Sequence, residues 1–312
     1  MVEHLLNDDS IDLVLNLTIP QAHAQVALAA ITTGKHVYSE KPLGINGDEG
    51  RKVIQAADAR NVRVGNAPDT FLGAGHQAAR KFIDEEAIGR PLAATCFMLC
   101  PGAEDSHPNP ETFYQAGADP LFDFGPYYLT GLLQLLGRIK RVNGSATIAI
   151  PQRTITSQAR YGKRFKVKTP DHVSGSIEFE NGCIATIVMS FASRYAEFWP
   201  ITIFGTDGTM RVPDPNGFDG DVFLRRKDDE DWQNVALTHR TGFGRSVGVA
   251  DMAHAIRSGR PHRASGEQAY AVVEAMQGIL DFARTGQAVE LTAAFQRCTP
   301  LPSDLPEGLL DD

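Results

Sequence analysis

The 312-residue chain has no apolar run approaching the roughly 20 residues that a helical membrane span requires. Its first residues, MVEHLLNDD, are acidic where a secretory signal would be basic. Together these absences predict a cytoplasmic protein that engages no membrane. Clustered positive charge is scarce too: the net charge is -8 and RFKVK at 164–168 is short, which argues against a nucleic-acid surface. The four cysteines, Cys96, Cys100, Cys183 and Cys298, form no C-x-x-C pair and are far too sparse for a disulfide scaffold. Cys96 and Cys100 fall in the strand-like run PLAATCFMLC, where a separation of four places them on one sheet face as buried thiols. Nine histidines include no H-E-x-x-H and no short-spaced cluster, so no metal site is expected. There is no internal repeat and no low-complexity linker. The tail after Thr299, PLPSDLPEGLLDD, is Pro-rich and acidic and is expected to be loosely ordered.

The chain is long enough for two cored domains. Its first ninety residues alternate: a helix end at VEHLLND, an apolar strand IDLVLNLTI of the kind covered on both faces, the helix AHAQVALAAITTG closed by Gly34, the strand HVYSEK, the helix GDEGRKVIQAADARN and the strand NVRVGNAP. Strand and helix in this order predict a parallel sheet with right-handed crossovers. From about residue 91 longer β-rich stretches take over, with Asn-Gly in ENGC at 180–183 marking a hairpin. Helices are expected at PYYLTGLLQLLG (126–137), GVADMAHAIRSG and GEQAYAVVEAMQGILDFARTG. The expected division is 1–90 and 91–312, the second part an open, mostly antiparallel sheet with helices on one face.

Three short stretches invite a chemical reading. FLGAGHQAARKF (71–82) has the spacing G-x-G-x-x-A of a pyrophosphate loop, but APDTFL separates it from its strand, so a helix start leading into the second domain is the better reading. GRSVG (244–248) fits G-x-S-x-G, yet a Gly-rich loop precedes Ser246 where a nucleophile elbow needs a strand. VYSEKPLG (37–44) places Glu40, Lys41 and Pro42 at the C-terminal end of a parallel strand, where open α/β sheets bind ligands. Pro42 holds Lys41 extended. On composition alone Lys41 also reads as a surface lysine beside a turn.

TIPQAHAQVALAAITTGKHVYSEKPLG resembles the strand, helix and Glu-Lys-Pro segment of the glucose-fructose oxidoreductase, inositol dehydrogenase and MocA family. The resemblance implies a Rossmann-type α/β parallel-sheet domain joined to an α+β domain with an open sheet. It implies that Thr18, Pro20, His23, Glu40, Lys41 and Asn66 line the nicotinamide side of NAD or NADP, and that Lys41 also meets substrate. GADPLFDFGPYYLTGLLQLLG (117–137) resembles the family's second motif, so that Asp123 and Tyr127, four apart on one helical face, converge on the substrate. Tyr127 stands where His is commoner in the family, and it would exchange the substrate's hydroxyl proton beside a tuning Lys41. Asp123 as a helix N-cap and Tyr127 as a core aromatic are the structural alternatives. The turn before Asp123 keeps only Gly117 where the family has several glycines, and adds Asp119. His107 and Tyr114, from the loop at 100–115, are candidates for substrate contact.

By the family pattern, MVEHLLNDD corresponds to the helix before the fourth strand, so the first three strands and the pyrophosphate loop are expected to be missing. LVLNLTI would then present an unpaired edge. The resemblance implies hydride transfer between NAD(P) and a sugar, polyol or related hydroxy compound, in a homo-oligomer formed through the open sheet. The alternative is a ligand-binding or regulatory member that has lost tight cofactor binding.

Overall fold

The computed structural model describes residues 2–303 together with Leu305 and Leu310. After α1 (Val2–Leu6) come β1 (Leu13–Asn16), α2 (Pro20–Thr32), β2 (His36–Ser39), α3 (Gly47–Arg60), β3 (Val64–Asn66) and α4 (Ala74–Asp84). The three strands form a parallel sheet in the order β1-β2-β3, as the alternation predicts. Asn46 caps α3 by accepting from the Glu49 N–H, and Asn61 ends it in the left-handed conformation at φ 51°. The apolar strand is shorter than the run IDLVLNLTI and is not covered on both faces: Leu15, Leu17 and Ile19 are 48%, 65% and 66% exposed. No strand among the described residues pairs with the outer edge of β1. The far edge of β3 is closed by residues 262–265 near the C-terminus. There Asn66 N–H donates to the Ala264 carbonyl at 3.0 Å and Gly65 bridges Ser265.

The second part comprises β4 (Pro91–Leu99), α5 (Pro120–Leu136), β5 (Ile139–Thr147), β6 (Gln152–Thr154), β7 (Arg164–Lys166), β8 (His172–Phe179), β9 (Ile184–Ser190), β10 (Ile201–Gly205), β11 (Gly208–Val212), β12 (Val222–Arg226), β13 (Gln233–Val235), α6 (Val247–Ser258), α7 (Gly266–Thr285) and β14 (Val289–Glu290). Nine of these strands make one sheet in the order β13-β12-β11-β10-β4-β9-β8-β5-β14, and β6 and β7 pair separately. The ENGC hairpin joins β8 to β9 with Gly182 at φ 86°. The sheet is mixed at its centre, because β4 and β9 run parallel. Helices α5 and α7 lie on one face, against β4, β5, β8 and β9. Leu121, Leu129, Leu132 and Leu133 of α5 are fully buried there, each stabilising the fold by about 1.5–3 kcal/mol.

Three further expectations need correction. Helix α5 starts at Pro120, six residues before PYYLTG, because Asp119 caps it: its carboxylate accepts from Leu121 and Phe122 N–H at 3.0 and 3.2 Å, and Pro120 occupies the first helical position. The start of the tail is docked, not loose, at Leu301. Leu301 is 3% exposed, its N–H donates to Gln77 at 2.8 Å, and its carbonyl faces His239 at 3.0 Å. Beyond residue 303 that tail lies outside the described residues apart from Leu305 and Leu310. Cys96 is buried as expected, whereas Cys100 lies beyond the end of β4 and is only half-buried; Cys183 is buried as well. Burial raises all four thiols above their ordinary range, to about 11 for Cys183 and Cys298.

Candidate active site

Lys41 emerges where β2 stops, and the backbone around it is held from several sides. The Glu40 N–H donates to the Asn16 carbonyl at 2.8 Å. Asn66 Nδ2 donates to the Ser39 and Glu40 carbonyls at 2.9 and 3.0 Å. The His23 ring spans the carbonyls of Pro42 and Thr18, with its nitrogens 2.7 and 2.8 Å away. The Lys41 N–H donates to the Glu40 carboxylate. From this anchor the Lys41 ammonium crosses to α5, where it donates to Asp123 Oδ1 at 2.5 Å and to the Asp123 carbonyl at 2.7 Å. It also stands 5.2 Å from the centre of the Tyr127 ring. Residues 82 and 86 positions apart thus meet at the C-terminal end of the parallel strands. Asp123 and Tyr127 share a helix face because they are one turn apart.

This geometry alters the expected roles. Asp119, not Asp123, caps the helix, so Asp123 is free to orient Lys41. Lys41 faces the π-surface of Tyr127, while the cation at the phenol oxygen is Arg245, whose Nη1 lies 3.4 Å from Oη. Arg245 belongs to the loop ahead of α6, the GRSVG stretch read in sequence only for its serine. No strand leads into Ser246, since residues 236–246 are coil, which removes the elbow geometry a nucleophile needs. Asp69 holds this loop by accepting from the Ser246 and Gly248 N–H groups at 3.0 and 2.9 Å. Arg245 and Asp69 carry no local signature; only the folded chain brings them here.

Of the residues expected at the cofactor, Thr18 is exposed, its hydroxyl donating to Asn16 at 2.7 Å, and Pro20 opens α2. Glu40 and Lys41 are half-buried at the crevice. His23 and Asn66, 1% and 3% exposed, serve as internal braces for the Lys41 backbone. Tyr114, expected at the substrate, is instead a core residue. It is 1% exposed, its hydroxyl donates to Glu104 at 2.6 Å, and Arg153 covers its ring at 4.8 Å. His107 is half-buried, edge-on to Phe113 with ring centres 4.9 Å apart, and its Nδ1 accepts from the Asn109 N–H. Asp119 is pushed up to about 6 by burial, opposed by the N–H groups it caps and reinforced by Asp123.

The crevice suits the nicotinamide end of a dinucleotide, because it offers a hydroxyl, a carboxylate and an ammonium beside the strand ends. Gly73 and Gly75 do not supply a pyrophosphate cradle. A Cβ at Gly73 would stand 2.0 Å from the Phe218 carbonyl oxygen, and one at Gly75 would stand 2.8 Å from Pro213. That space is filled by the chain between β11 and β12, and Gly73 simply starts α4.

A parallel-sheet unit joined to a large open sheet, with a lysine, an aspartate and a tyrosine meeting between them, defines a two-part α/β protein of Rossmann type. The family model described as "Oxidoreductase family, NAD-binding Rossmann fold" matches residues 1–67, and that described as "GFO/IDH/MocA C-terminal domain" matches residues 76–211. The chain belongs to the Gfo/Idh/MocA oxidoreductase family. It is 31% identical over 213 residues to a 1,5-anhydro-D-fructose reductase from Ensifer adhaerens, a match covering 67% of this chain and 59% of that protein. It is 27% identical to a levoglucosan dehydrogenase from Pseudarthrobacter phenanthrenivorans, over 66% of this chain and 56% of the relative. The chain therefore spans less than two thirds of these relatives' lengths. Its fold matches the apo form of a levoglucosan dehydrogenase with a TM-score of 0.82 at 22% identity, over 95% of this chain and 84% of the other. An NAD-binding oxidoreductase from Klebsiella pneumoniae matches with a TM-score of 0.80 at 22% identity, over 93% and 82%.

Proposed function

We propose that the protein is an NAD(P)-dependent oxidoreductase acting on a CH–OH group of a sugar, polyol or related hydroxy compound. The observation that carries this reading is the Lys41–Asp123–Tyr127 cluster, assembled from two sheets' worth of chain at the strand ends. A bound nicotinamide would supply the hydride chemistry, with Thr18, Pro20, Glu40 and Lys41 facing it. Tyr127 Oη gives a proton to the carbonyl oxygen in reduction and takes it back in oxidation. Lys41, aimed by Asp123, holds that same oxygen and stabilises negative charge developing on it. Tyr127→Phe should lower kcat by about 10²–10⁴ while leaving the NADH affinity unchanged. Unchanged turnover in that variant would remove Tyr127 from the chemistry.

A second reading is a ligand-binding or regulatory member of the same fold without tight cofactor binding. Fluorescence titration with NADH and NADPH separates the two readings, since saturable micromolar binding belongs only to the first. We read residues 1–90 and 91–312 as the two functional parts. The uncovered face of the large sheet, where Ile184 and Phe204 are 52% and 39% exposed, is the surface through which two copies would pair. Phe204→Glu should shift sedimentation to the monomer. Four free cysteines accord with a reducing cytoplasm.

A further inference from the structure

Lys41 and Arg245 flank the Tyr127 ring at 5.2 and 5.6 Å from its centre, but the two cations are not equivalent. Lys41 is neutralised by Asp123 at 2.5 Å, and the Glu40 carboxylate sits at its own backbone N–H. Arg245 donates to neutral groups, Tyr127 Oη at 3.4 Å and Asn216 Oδ1 at 2.8 Å. Asp69 acts on Arg245 through space, yet its Oδ2 already accepts from the Ser246 and Gly248 N–H groups. Among the described residues no ion pair joins Arg245 to a carboxylate. Arg245 is also an exposed residue, so a positive charge that no contact ion pair neutralises stands beside the phenol at the mouth of the crevice.

The backbone that presents this charge is not a loose surface loop. Ser246 is held at φ 91°, a left-handed conformation that costs a non-glycine residue about 1–3 kcal/mol and persists where its surroundings over-determine it. The two hydrogen bonds to Asp69 supply that determination. Gly248 allows it sterically, because a Cβ there would stand 2.3 Å from the Tyr38 hydroxyl oxygen and 2.7 Å from Asp69 Cβ. A guanidinium held in this way is a fork of donors matched to a carboxylate.

We propose that Arg245 is a specificity-determining residue and that the substrate is a polyhydroxy acid, its carboxylate taken by Arg245 and its carbinol presented to Tyr127 and Lys41. The proposal rests on the oxidoreductase reading of the cluster and names the substrate class for that site. Asn216 holds the guanidinium in the free protein and yields one donor nitrogen to the carboxylate when substrate enters.

Isothermal titration with two matched pairs tests it: D-gluconate against D-glucitol, and D-galacturonate against D-galactose. Each pair keeps its carbon skeleton and exchanges a carboxylate for an uncharged group. The wild-type chain should bind at least one acid about tenfold or more tightly than its neutral partner, the ratio that about 1.4 kcal/mol provides. Arg245→Gln should bring that ratio close to one, and Arg245→Lys should keep a preference for the acid. Equal affinities in the wild type, failure to bind either acid, or a preference that survives Arg245→Gln would each overturn the proposal. Because the readout is binding, the underlying reading is scored separately by NAD(P)H formation. An acid preference with no hydride transfer to NAD(P)+ from any acid or neutral sugar tested refutes the oxidoreductase and keeps the carboxylate site. Turnover of neutral sugars without an acid preference does the reverse.

Discussion

Asp119 sets up a stability effect that can be measured whatever the substrate. Its carboxylate is 2% exposed, caps α5, and is pushed up to about 6 from an ordinary 3.8, chiefly by burial. Between those two pH values the folded chain keeps a proton that the unfolded chain has released. Folding is therefore favoured at the acid end of that window, and the contribution is lost as pH rises through about 6. At about 1.4 kcal/mol per pH unit over roughly two units, the ionised cap costs about 3 kcal/mol at neutral pH. Asp119→Asn keeps an acceptor oxygen for the Leu121 and Phe122 N–H groups but cannot ionise. Urea unfolding of both proteins from pH 4 to pH 7 should show the variant gaining on the wild type by about 3 kcal/mol across the series. Titrating groups remote from Asp119 cancel in that difference. A difference that is flat with pH, or that grows toward acid, would refute the reasoning.

Arg153 lies between Glu104 and Asp171, at 2.9 and 2.7 Å, with 4% of its side chain exposed; Arg153→Met leaves the buried Asp171 and the half-buried Glu104 without their cation and should cost about 3–5 kcal/mol in urea unfolding, and a loss below about 1 kcal/mol would contradict the burial. Gly248→Ala places a methyl 2.3 Å from the Tyr38 hydroxyl and should destabilise by about 1–3 kcal/mol. An unchanged thermal midpoint would show that the Arg245 loop is less tightly set than its contacts indicate.

How much of the site could be read in advance depended on sequence distance. The Lys41 position follows from local chemistry: a strand that ends, a proline that keeps the next turn extended, and the general rule that parallel strands bind at their C-terminal ends. Asp123 and Tyr127 share a face through helical periodicity alone. The true start of α5 was also present as Asp119-Pro120, an N-cap followed by a first-turn proline, although the apolar run beginning at Pro126 gave the stronger signal. Tyr114 is different, since its burial depends on Arg153, 39 positions away, and on a charge network that no local pattern encodes.

By itself the sequence determined the alternation of the first sheet, the hairpin and the C-terminal helix ends of the second part, and the one-turn spacing of Asp123 and Tyr127, because these depend on periodicity and capping within a few residues. Tertiary structure alone decided that β4 and β9 run parallel at the sheet's centre, that residues 262–265 close the β3 edge, and that Arg245 reaches Tyr127 from 118 positions away. Such contacts are selected by the packing of whole elements against one another, and the short-range pattern of the chain carries no record of which distant residue will arrive.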